Sequence, residues 1–208
     1  MFHVKLDPRS TLETLTDQQR RQLREYESLL VRAAIPQGYV SAGDKDRIWE
    51  RHIMDSLRVL SCLPRQAAVV VDVGSGAGLP GIPMAIGRAD CSVVLLEPKA
   101  RRVAFLELAA QQLGLANVRV VHGRAEESGI LADVAVARAL AQPRAAWEIC
   151  HPLLVPQGFV LYFSGRSWRT GGSASLGEVS VVAEICVDRL FPWQGPIVKM
   201  MRQLTPRA

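Results

Sequence analysis

From residue 67 onward, short apolar runs alternate with longer segments whose apolar side chains recur at helical spacing. The short runs predict strands at 67–73, 91–97, 117–121, 132–136 and 158–163. The longer segments predict helices at 80–88, 99–114 and 142–152. This alternation is typical of a parallel sheet in which right-handed crossovers place helices on both faces.

Two further segments with helical spacing precede this region. Residues 11–35 and 44–60 each carry an apolar face, but they hold few large apolar side chains and would form a weak core alone. We therefore expect them to pack on the alternating region as an N-terminal helical cap. The sequence thus predicts a single domain over residues 1–208, with the cap at 1–62 and the core at 63–208.

The pattern changes after residue 163. Residues 165–177 are rich in Gly, Ser and Arg, which is typical of a mobile loop. Residues 179–187 and 197–204 then predict a closing pair of strands at an antiparallel edge. The predicted fold is therefore α/β, with a mostly parallel seven-stranded sheet, helices on both faces and the helical cap.

Three glycines at alternate positions follow the first strand of the predicted core. The segment reads Val-Val-Val-Asp72-Val-Gly74-Ser75-Gly76-Ala-Gly78-Leu79-Pro-Gly-Ile-Pro. A dinucleotide fingerprint would have its third glycine at position 79, where this chain has leucine. The pattern D-x-G-x-G-x-G instead resembles the first motif of Rossmann-like S-adenosylmethionine (SAM) methyltransferases. An ordinary glycine-rich turn of another α/β protein is the alternative.

Polar residues also end the other predicted strands. Glu97 lies about 20 residues beyond the glycine segment, a separation at which a carboxylate can accept hydrogen bonds from a ribose diol. A surface acid is the alternative. Asp72, Glu97, Glu126 and Arg138 each follow a predicted strand, so we expect them along the edge where open α/β sheets bind ligands. A helix-start acid and a structural ion pair are the alternatives for Glu126 and Arg138.

Composition and charge indicate a globular domain and limit the kinds of partner that it could bind. The chain has 208 residues, of which 49% are hydrophobic and 22% charged, as in an ordinary globular domain. No apolar run is long enough to span a bilayer, and the first residues lack the apolar region of a secretory signal. The formal net charge of +5 permits a polyanionic partner. Lys99, Arg101 and Arg102 cluster beside the predicted ligand site.

The four cysteines lack the spacing of a metal site. They stand far apart in the sequence, at Cys62, Cys91, Cys150 and Cys186. We expect them to be buried thiols of a protein in the reducing cytoplasm, and we expect no metal.

Several segments together resemble one known family of enzymes. They are Arg51-His52-Ile-Met-Asp55-Ser56, the glycine segment through Pro83, Leu95-Leu-Glu97 with Arg101-Arg-Val-Ala-Phe-Leu106, Arg124-Ala125-Glu126-Glu127, and Ala137-Arg138-Ala139. On these segments the chain resembles the RsmG (GidB) family, bacterial methyltransferases that act on guanine N7 of small-subunit (16S) ribosomal RNA. The resemblance runs from about residue 49 to residue 161. It implies the Rossmann-like class I fold of SAM-dependent methyltransferases.

The resemblance also implies a site for SAM. It places Gly74 and Leu79 at the methionine end of the cofactor, Glu97 at the ribose, and Ala125 with Glu126 at the adenine. Arg138 is expected between cofactor and substrate, and is the first catalytic candidate. The remaining candidates for cofactor binding are Asp72, Ser75, Gly76, Gly78 and Arg138 itself.

His52 is the second catalytic candidate. His52 and Asp55 are three residues apart on a predicted helix and should face the same way, which would suit acid–base chemistry. Packing and hydrogen bonding of the cap against the glycine segment is the alternative. Guanine N7 has a lone pair and no proton, so its methylation needs no general base and depends on positioning and electrostatics.

Two segments depart from the family pattern. The family has N-L-T before R-H-x-x-D-S, whereas this chain has Gly-Tyr-Val-Ser at 38–41. It also has Lys-Gly after the fifth strand, whereas this chain has Ser164-Gly165. This change removes a cation from a phosphate contact or from the active site, and Arg166 or Arg169 would be its substitute.

The sequence thus predicts a SAM-dependent methyltransferase of guanine N7 in small-subunit ribosomal RNA, either naked or in an assembling subunit. The guanine must lie in a loop or be flipped out. We expect a cytoplasmic monomer with no membrane partner. A SAM methyltransferase of another RNA or of a small molecule, a non-catalytic SAM- or RNA-binding module, and a nicotinamide dehydrogenase are the alternatives.

Overall fold

The computed structural model describes residues 13–66, 68–166, 168, 181–187 and 191–202. Seven strands form one sheet: Val69–Val73 (β1), Ser92–Glu97 (β2), Val118–His122 (β3), Ala132–Arg138 (β4), Leu154–Phe163 (β5), Val181–Val187 (β6) and Ile197–Arg202 (β7). Their order is β3-β2-β1-β4-β5-β7-β6. Strands β1 to β5 are parallel, and β7 is antiparallel to β5 and β6. The predicted α/β fold and its antiparallel edge are confirmed.

Among the described residues, the longer α-helices that accompany the sheet are Asp17–Leu29 (α1), Gly81–Gly87 (α2), Ala100–Gln112 (α3) and Pro143–Cys150 (α4). Helices α2, α3 and α4 connect successive parallel strands. Neighbouring residues of β1 pack in different apolar clusters, Val70 in one and Val71 in the other. Both faces of the sheet are therefore covered, which explains why its central strands are almost continuously apolar.

Strand β5 begins four residues earlier than predicted. Pro156 and Gly158 interrupt the apolar run there, and the pairing of β4 with β5 shifts register between Ala132 and Val134. An irregular pairing of this kind joins the sheet without the alternation from which a strand is predicted.

The cap departs from ideal helical geometry. Helix α1 begins with a capping box between Thr16 and Gln19 and continues as a π-helix over Leu30–Ala34. The predicted helix over 44–60 is a chain of short turns. These are a 3₁₀ turn at Ala42–Arg47, a π-helix at Trp49–Met54, one α turn at Asp55–Leu57 and a 3₁₀ turn at Arg58–Cys62. Each change of turn type rotates the following side chains relative to an ideal α-helix.

Cap and core share one apolar cluster. Leu23 and Tyr26 of α1 lie in the same cluster as Ile82, Leu95 and Phe105 of the core. Two glutamine side chains of the cap region add polar links, because Gln19 donates to the Ile86 carbonyl and Gln22 to the Leu113 carbonyl, both at 2.7 Å. The cap therefore buries its apolar face only by packing on the core.

The cysteines differ in part from the prediction. Cys91 and Cys150 are buried thiols, and burial raises the pKa of Cys150 to about 12. The prediction is wrong for Cys62 and Cys186, which form a disulfide between the cap and β6. The two cysteines are 124 residues apart in the sequence, so their pairing could not be predicted before the fold was known.

Two further findings concern the part of the chain that the structure describes. Within it, no helix is both long and apolar enough to cross a membrane, and no group of three or more His, Cys, Asp or Glu side chains could hold a metal ion. The predicted mobile loop at 165–177 falls mostly outside the described residues.

Candidate active site

The glycine segment lies at the carboxyl edge of the sheet, where the strand order reverses. β1 pairs with β2 on one side and with β4 on the other. The amides of Gly74 and Ser75 both donate to the Leu96 carbonyl, at 2.8 and 3.1 Å, so the loop stays attached to β2. Crevices at such reversals are the usual ligand sites of open α/β sheets.

Glu97 faces this loop from the end of β2. One of its carboxylate oxygens accepts from the Gly76 amide at 2.9 Å, and the other accepts from the Lys99 amide at 3.0 Å. Glu97 is only 1% exposed, yet a carboxylate can accept about four hydrogen bonds, so acceptor capacity remains for a ligand. Gly76 has φ of +60°, and a Cβ there would lie 3.8 Å from the Gly74 carbonyl oxygen, an ordinary van der Waals distance. The Gly76 amide thus reaches a buried acceptor with no side chain of its own beside it.

Asp72 and Ser75 lie beneath the loop. Asp72 is 1% exposed, and its carboxylate accepts from the Gly81 amide at the start of α2, at 3.0 Å. The Ser75 hydroxyl donates to the Asp72 carbonyl at 2.8 Å. Burial raises the pKa of Asp72 to about 7, although the hydrogen bonds from Gly81 and Ser75 lower it. These two predicted cofactor residues hold the loop in shape.

Gly78 faces the interior of the protein. It has φ of +89°, and a Cβ at this position would lie 2.5 Å from Ile82 and 3.0 Å from the Tyr26 hydroxyl. The Tyr26 hydroxyl donates to the Ala77 carbonyl at 2.6 Å, and burial raises the pKa of this tyrosine. Gly78 therefore allows α1 to support the cofactor loop from below.

The turn after β3 completes the predicted cofactor edge. Gly123 donates to the Glu97 carbonyl at 3.2 Å, which holds the turn beside the acid. The 3₁₀ turn at Ala125–Glu127 follows, with Ala125 half-buried and Glu126 exposed. Leu79 is half-buried at the other end of the glycine segment. The carboxyl edge thus carries, in chain order, the predicted methionine, ribose and adenine positions.

Arg138 ends β4, and four groups of the cap hold its guanidinium. Nη2 lies 3.3 Å from an Asp55 carboxylate oxygen, 3.3 Å from His52 Nδ1 and 3.1 Å from the Arg51 carbonyl. Nη1 donates to the Ser56 hydroxyl at 3.3 Å. The R-H-x-x-D-S segment therefore binds the guanidinium of Arg138 and fixes its position.

His52 pairs with a different acid from the one expected. Its Nε2 lies 3.0 Å from the Asp44 carboxylate, whereas His52 and Asp55 are linked through Arg138 Nη2, which lies 3.3 Å from each of them. Burial lowers the pKa of His52, and the Arg138 charge lowers it further. With Nε2–H donating to Asp44 and Nδ1 accepting from Arg138, both ring nitrogens of a neutral imidazole are engaged.

Asp55 joins two arginines. One oxygen accepts from Arg58 at 2.7 Å and the other lies 3.3 Å from Arg138. Arg58 is buried and also donates to the Gly195 carbonyl at 2.9 Å. The network thus extends from the cap across β4 to the turn before β7.

A cavity of about 990 Å³ opens beside Arg138. Its lining includes Arg51, Asp55, Arg138, Tyr162, Trp168 and Trp193. Leu140 of the loop after β4 also lines it, and a methyl group of Leu140 lies 2.9 Å from where a Cβ of Gly74 would stand. The cavity is therefore adjacent to the glycine loop, and its volume is that of a typical ligand site.

Ser164 takes a structural position at the end of β5. Its hydroxyl donates to the Pro196 carbonyl at 2.6 Å and its amide donates to the same carbonyl at 3.1 Å. The residue is buried, so it ties β5 to the turn before β7. Arg166 is exposed at the start of the following loop, whereas Arg169 lies outside the described residues.

Four contributors to the site escaped prediction. Tyr26 has the apolar spacing of a core residue, and this spacing does not reveal what its hydroxyl contacts. Asp44 stands in a segment without regular period, and the Asp55–Arg138 pair joins residues of cap and core. Trp193 stands in a short turn, outside any helix or strand whose period could predict its position. For Asp55 alone a signal existed, because it belongs to the R-H-x-x-D-S segment.

Comparison with known proteins gives a consistent result. The family model of GidB, rRNA small subunit methyltransferase G, matches residues 19–175. The ribosomal RNA small subunit methyltransferase G of Salinispora arenicola is 44% identical over 151 residues, which cover 68% of this chain and 62% of that protein. The protein of the same name from Mycobacterium leprae is 42% identical over 176 residues, which cover 78% of this chain and 70% of that protein. The chain thus spans between three-fifths and about two-thirds of these relatives.

The fold has counterparts among solved structures. A SAM-dependent methyltransferase from Aquifex aeolicus superposes with a TM-score of 0.58 at 16% sequence identity, covering 79% of this chain and 97% of that one. At this identity the likeness concerns the fold alone, and the fold is that of class I SAM-dependent methyltransferases.

Proposed function

The chain belongs to the GidB family of rRNA small subunit methyltransferases G, and we propose on this basis that it transfers the methyl group of SAM to N7 of a guanine in small-subunit (16S) ribosomal RNA. The observation that carries the proposal is the adjacency of two features at one edge of the sheet. A glycine loop with a buried carboxylate suits a nucleoside cofactor, and an arginine-lined cavity beside it has room for a base.

The residues at the loop fit SAM. Glu97 offers acceptor capacity to the ribose hydroxyls, and Gly76 places no side chain beside the Glu97 oxygen to which its amide donates. Ala125 and Glu126 flank the adenine, and Gly74 and Leu79 flank the methionine end. When bound, SAM supplies a methyl group on a positively charged sulfur. Asp72, Ser75 and Gly78 contribute by holding the loop from beneath.

The geometry suits a reaction that needs no general base. Guanine N7 attacks with its own lone pair, so the protein has only to position the base and stabilise the change in charge. His52 is a positioning residue in this proposal, because Asp44 and Arg138 engage both of its ring nitrogens. A base in an acid–base reaction would instead need a free ring nitrogen that faces the substrate.

Arg138 is the central residue between cofactor and substrate. It lines the cavity and is close enough to Asp72, beneath the glycine loop, to lower the pKa of that acid. Four cap groups fix its guanidinium, which leaves a rigid donor for the guanine or a phosphate. Arg51 lines the cavity as well and is more exposed, so it is suited to a phosphate of the flanking RNA.

The substrate is a guanine in a loop, or one flipped from a helix, because N7 must reach the methyl group inside the cavity. Lys99, Arg101 and Arg102 lie beside the cofactor loop and give the approaching RNA a basic border. The protein acts as a cytoplasmic monomer in this proposal. Its cap and core act as one domain, which their shared apolar cluster supports.

Methyl transfer from labelled SAM tests the proposal. Purified protein is incubated with small subunits, with naked small-subunit RNA and with transfer RNA, and the labelled nucleoside is identified after digestion. We expect 7-methylguanosine from one or both of the small-subunit substrates. A different methylated nucleoside, or label mainly in transfer RNA, would support the alternative of another acceptor. SAM binding without any transfer would support the non-catalytic module.

A further inference from the structure

Trp193 is an aromatic residue that is not part of the proposed cofactor site. It is 41% exposed and lines the 990 Å³ cavity beside Arg138. Exposure of a single apolar side chain is common and is not evidence of function. Its place in the cavity wall and the way the fold holds it are the observations that matter.

The turn that carries Trp193 is fixed from within. The Gln194 amide donates to the Phe191 carbonyl at 3.0 Å, and the Gln194 side-chain oxygen accepts from the Phe191 amide at 3.2 Å. The rings of Phe191 and Trp193 stack with their centroids 4.6 Å apart and their planes 3° from parallel. One face of the indole is thus covered by Phe191, while 41% of the residue stays exposed.

The same turn is anchored to the active site on both sides. Arg58, which is paired with Asp55, donates to the Gly195 carbonyl at 2.9 Å. Ser164 donates to the Pro196 carbonyl at 2.6 Å. No Cβ would fit at Gly195, since it would lie 2.0 Å from the Ser164 carbonyl oxygen. An aromatic ring fixed in this way loses little freedom when a planar ligand stacks on it.

The cavity lining holds three other aromatic residues, Tyr162, Phe163 and Trp168. Tyr162 and Phe163 are buried, and Trp168 is half-buried with its ring 6.3 Å from that of Tyr162, so Trp193 has the largest exposed fraction of the four. Resting on the proposed function, we propose that the indole of Trp193 stacks on the guanine to be methylated and favours the positive charge that the base acquires.

The charge balance of the reaction makes this contact selective for the transition state. The N7 lone pair forms the new bond to carbon while the bond from carbon to sulfur breaks and sulfur keeps its electrons. No proton moves. One positive charge passes from sulfur to the purine. The face of an indole attracts cations more strongly than the other aromatic rings, so its contact with the base strengthens as methyl transfer proceeds.

The surrounding charges give this contact its importance. The cavity is lined by Arg51, Arg58 and Arg138, whose positive charges repel a cationic base. Asp55 neutralises part of this charge, because it pairs with Arg58 and Arg138. A π face adds attraction for the developing cation without adding a formal charge.

Steady-state methylation of small subunits by Trp193→Leu and Trp193→Phe tests the proposal. Loss of base stacking weakens binding about 5- to 150-fold. We expect kcat/KM of Trp193→Leu to fall by at least about 10-fold, with part of the loss in kcat, and Trp193→Phe to lie between it and the wild type. Leu131→Ala is the matched control, because Leu131 is 65% exposed and lies outside the cavity. SAM affinity should be unchanged in all variants.

A nucleotide titration makes the result independent of turnover. We expect 7-methylguanosine 5′-monophosphate to bind the wild type more tightly than GMP, and Trp193→Leu to lose this preference. The proposal is overturned if Trp193→Leu keeps both the preference and a kcat/KM within twofold of the wild type, or if its SAM affinity falls as much as its activity. A wild type that binds SAM but methylates no guanine would contradict the proposed function, and the titration would then decide the stacking site by itself.

Discussion

Glu97→Gln removes one charge from the centre of the cofactor site with almost no change of shape. In the wild type each carboxylate oxygen accepts from one backbone amide, Gly76 at 2.9 Å and Lys99 at 3.0 Å. A glutamine has only one acceptor oxygen. Whichever way its amide is turned, one of the two backbone N–H groups loses its partner and faces an NH₂ group.

The size of the effect follows from these contacts. A hydrogen bond to a charged acceptor contributes about 1.5–3 kcal/mol, and Glu97 is 1% exposed, so water cannot replace the lost acceptor. If this energy is needed to hold the loop for SAM, the Kd for SAM rises by about 10- to 150-fold, since each 1.4 kcal/mol is a factor of ten. The midpoint of thermal unfolding falls by about 3–12 °C for a chain of this length.

Calorimetric titration with SAM measures the change in Kd, and thermal unfolding measures the change in stability. Glu107→Gln is the control, because Glu107 is exposed on α3 and carries the same charge. It should leave both quantities unchanged. A Kd of Glu97→Gln within twofold of the wild type would refute the assignment of Glu97 to the cofactor.

Three further predictions concern the groups around the loop. Tyr26→Phe leaves the Ala77 carbonyl without its donor at 2.6 Å, so we expect a loss of about 1–3 kcal/mol in the free energy of unfolding, measured in urea, and weaker SAM binding. Arg138→Lys keeps the charge but not the four cap contacts, so we expect kcat to fall about 100-fold through misplacement of the donor, while the Kd for SAM stays within about threefold. The pKa of Asp72 is about 7 in the folded protein, against 3.8 for a free side chain. Between these two pH values the folded state binds more protons than the unfolded state, so the free energy of unfolding falls as pH rises. The loss from Asp72 reaches about 4 kcal/mol above pH 7. Urea titrations from pH 4 to 8 should therefore show Asp72→Asn gaining stability over the wild type as pH rises, and a constant difference would contradict this.

The spacing of apolar residues predicts the helices and strands in which it is regular, but it does not predict the side-chain contacts between those elements. The run Val70-Val71-Asp72 predicts a buried strand that ends in a polar residue. Glu97, at the end of the next strand, has the sequence spacing of a carboxylate that binds ribose. The predicted start of β5 is late because Pro156 and Gly158 break the alternation, although β4 pairs with Leu154 before them and with Phe159 after them.

The cap illustrates why the rest of the site lay beyond prediction. The sequence places His52 and Asp55 on one side of a helix, and both do contact Arg138 Nη2, but the sequence does not show that Asp44 binds the other ring nitrogen of His52 or that Arg58 binds Asp55. Trp193 follows no period at all, so only the anchoring of its turn by distant residues shows its place in the cavity wall. Contacts of this kind depend on how cap and core pack.

The most direct test is the location of the methyl group in the RNA. Small subunits from a strain that lacks this gene are incubated with the purified protein and SAM, and the RNA is then cleaved chemically at 7-methylguanine. We predict one new cleavage site in the small-subunit RNA, absent without SAM and strongly reduced with Arg138→Lys. Methyl transfer to these subunits without any new cleavage site would contradict guanine N7 as the acceptor, and with it the central claim.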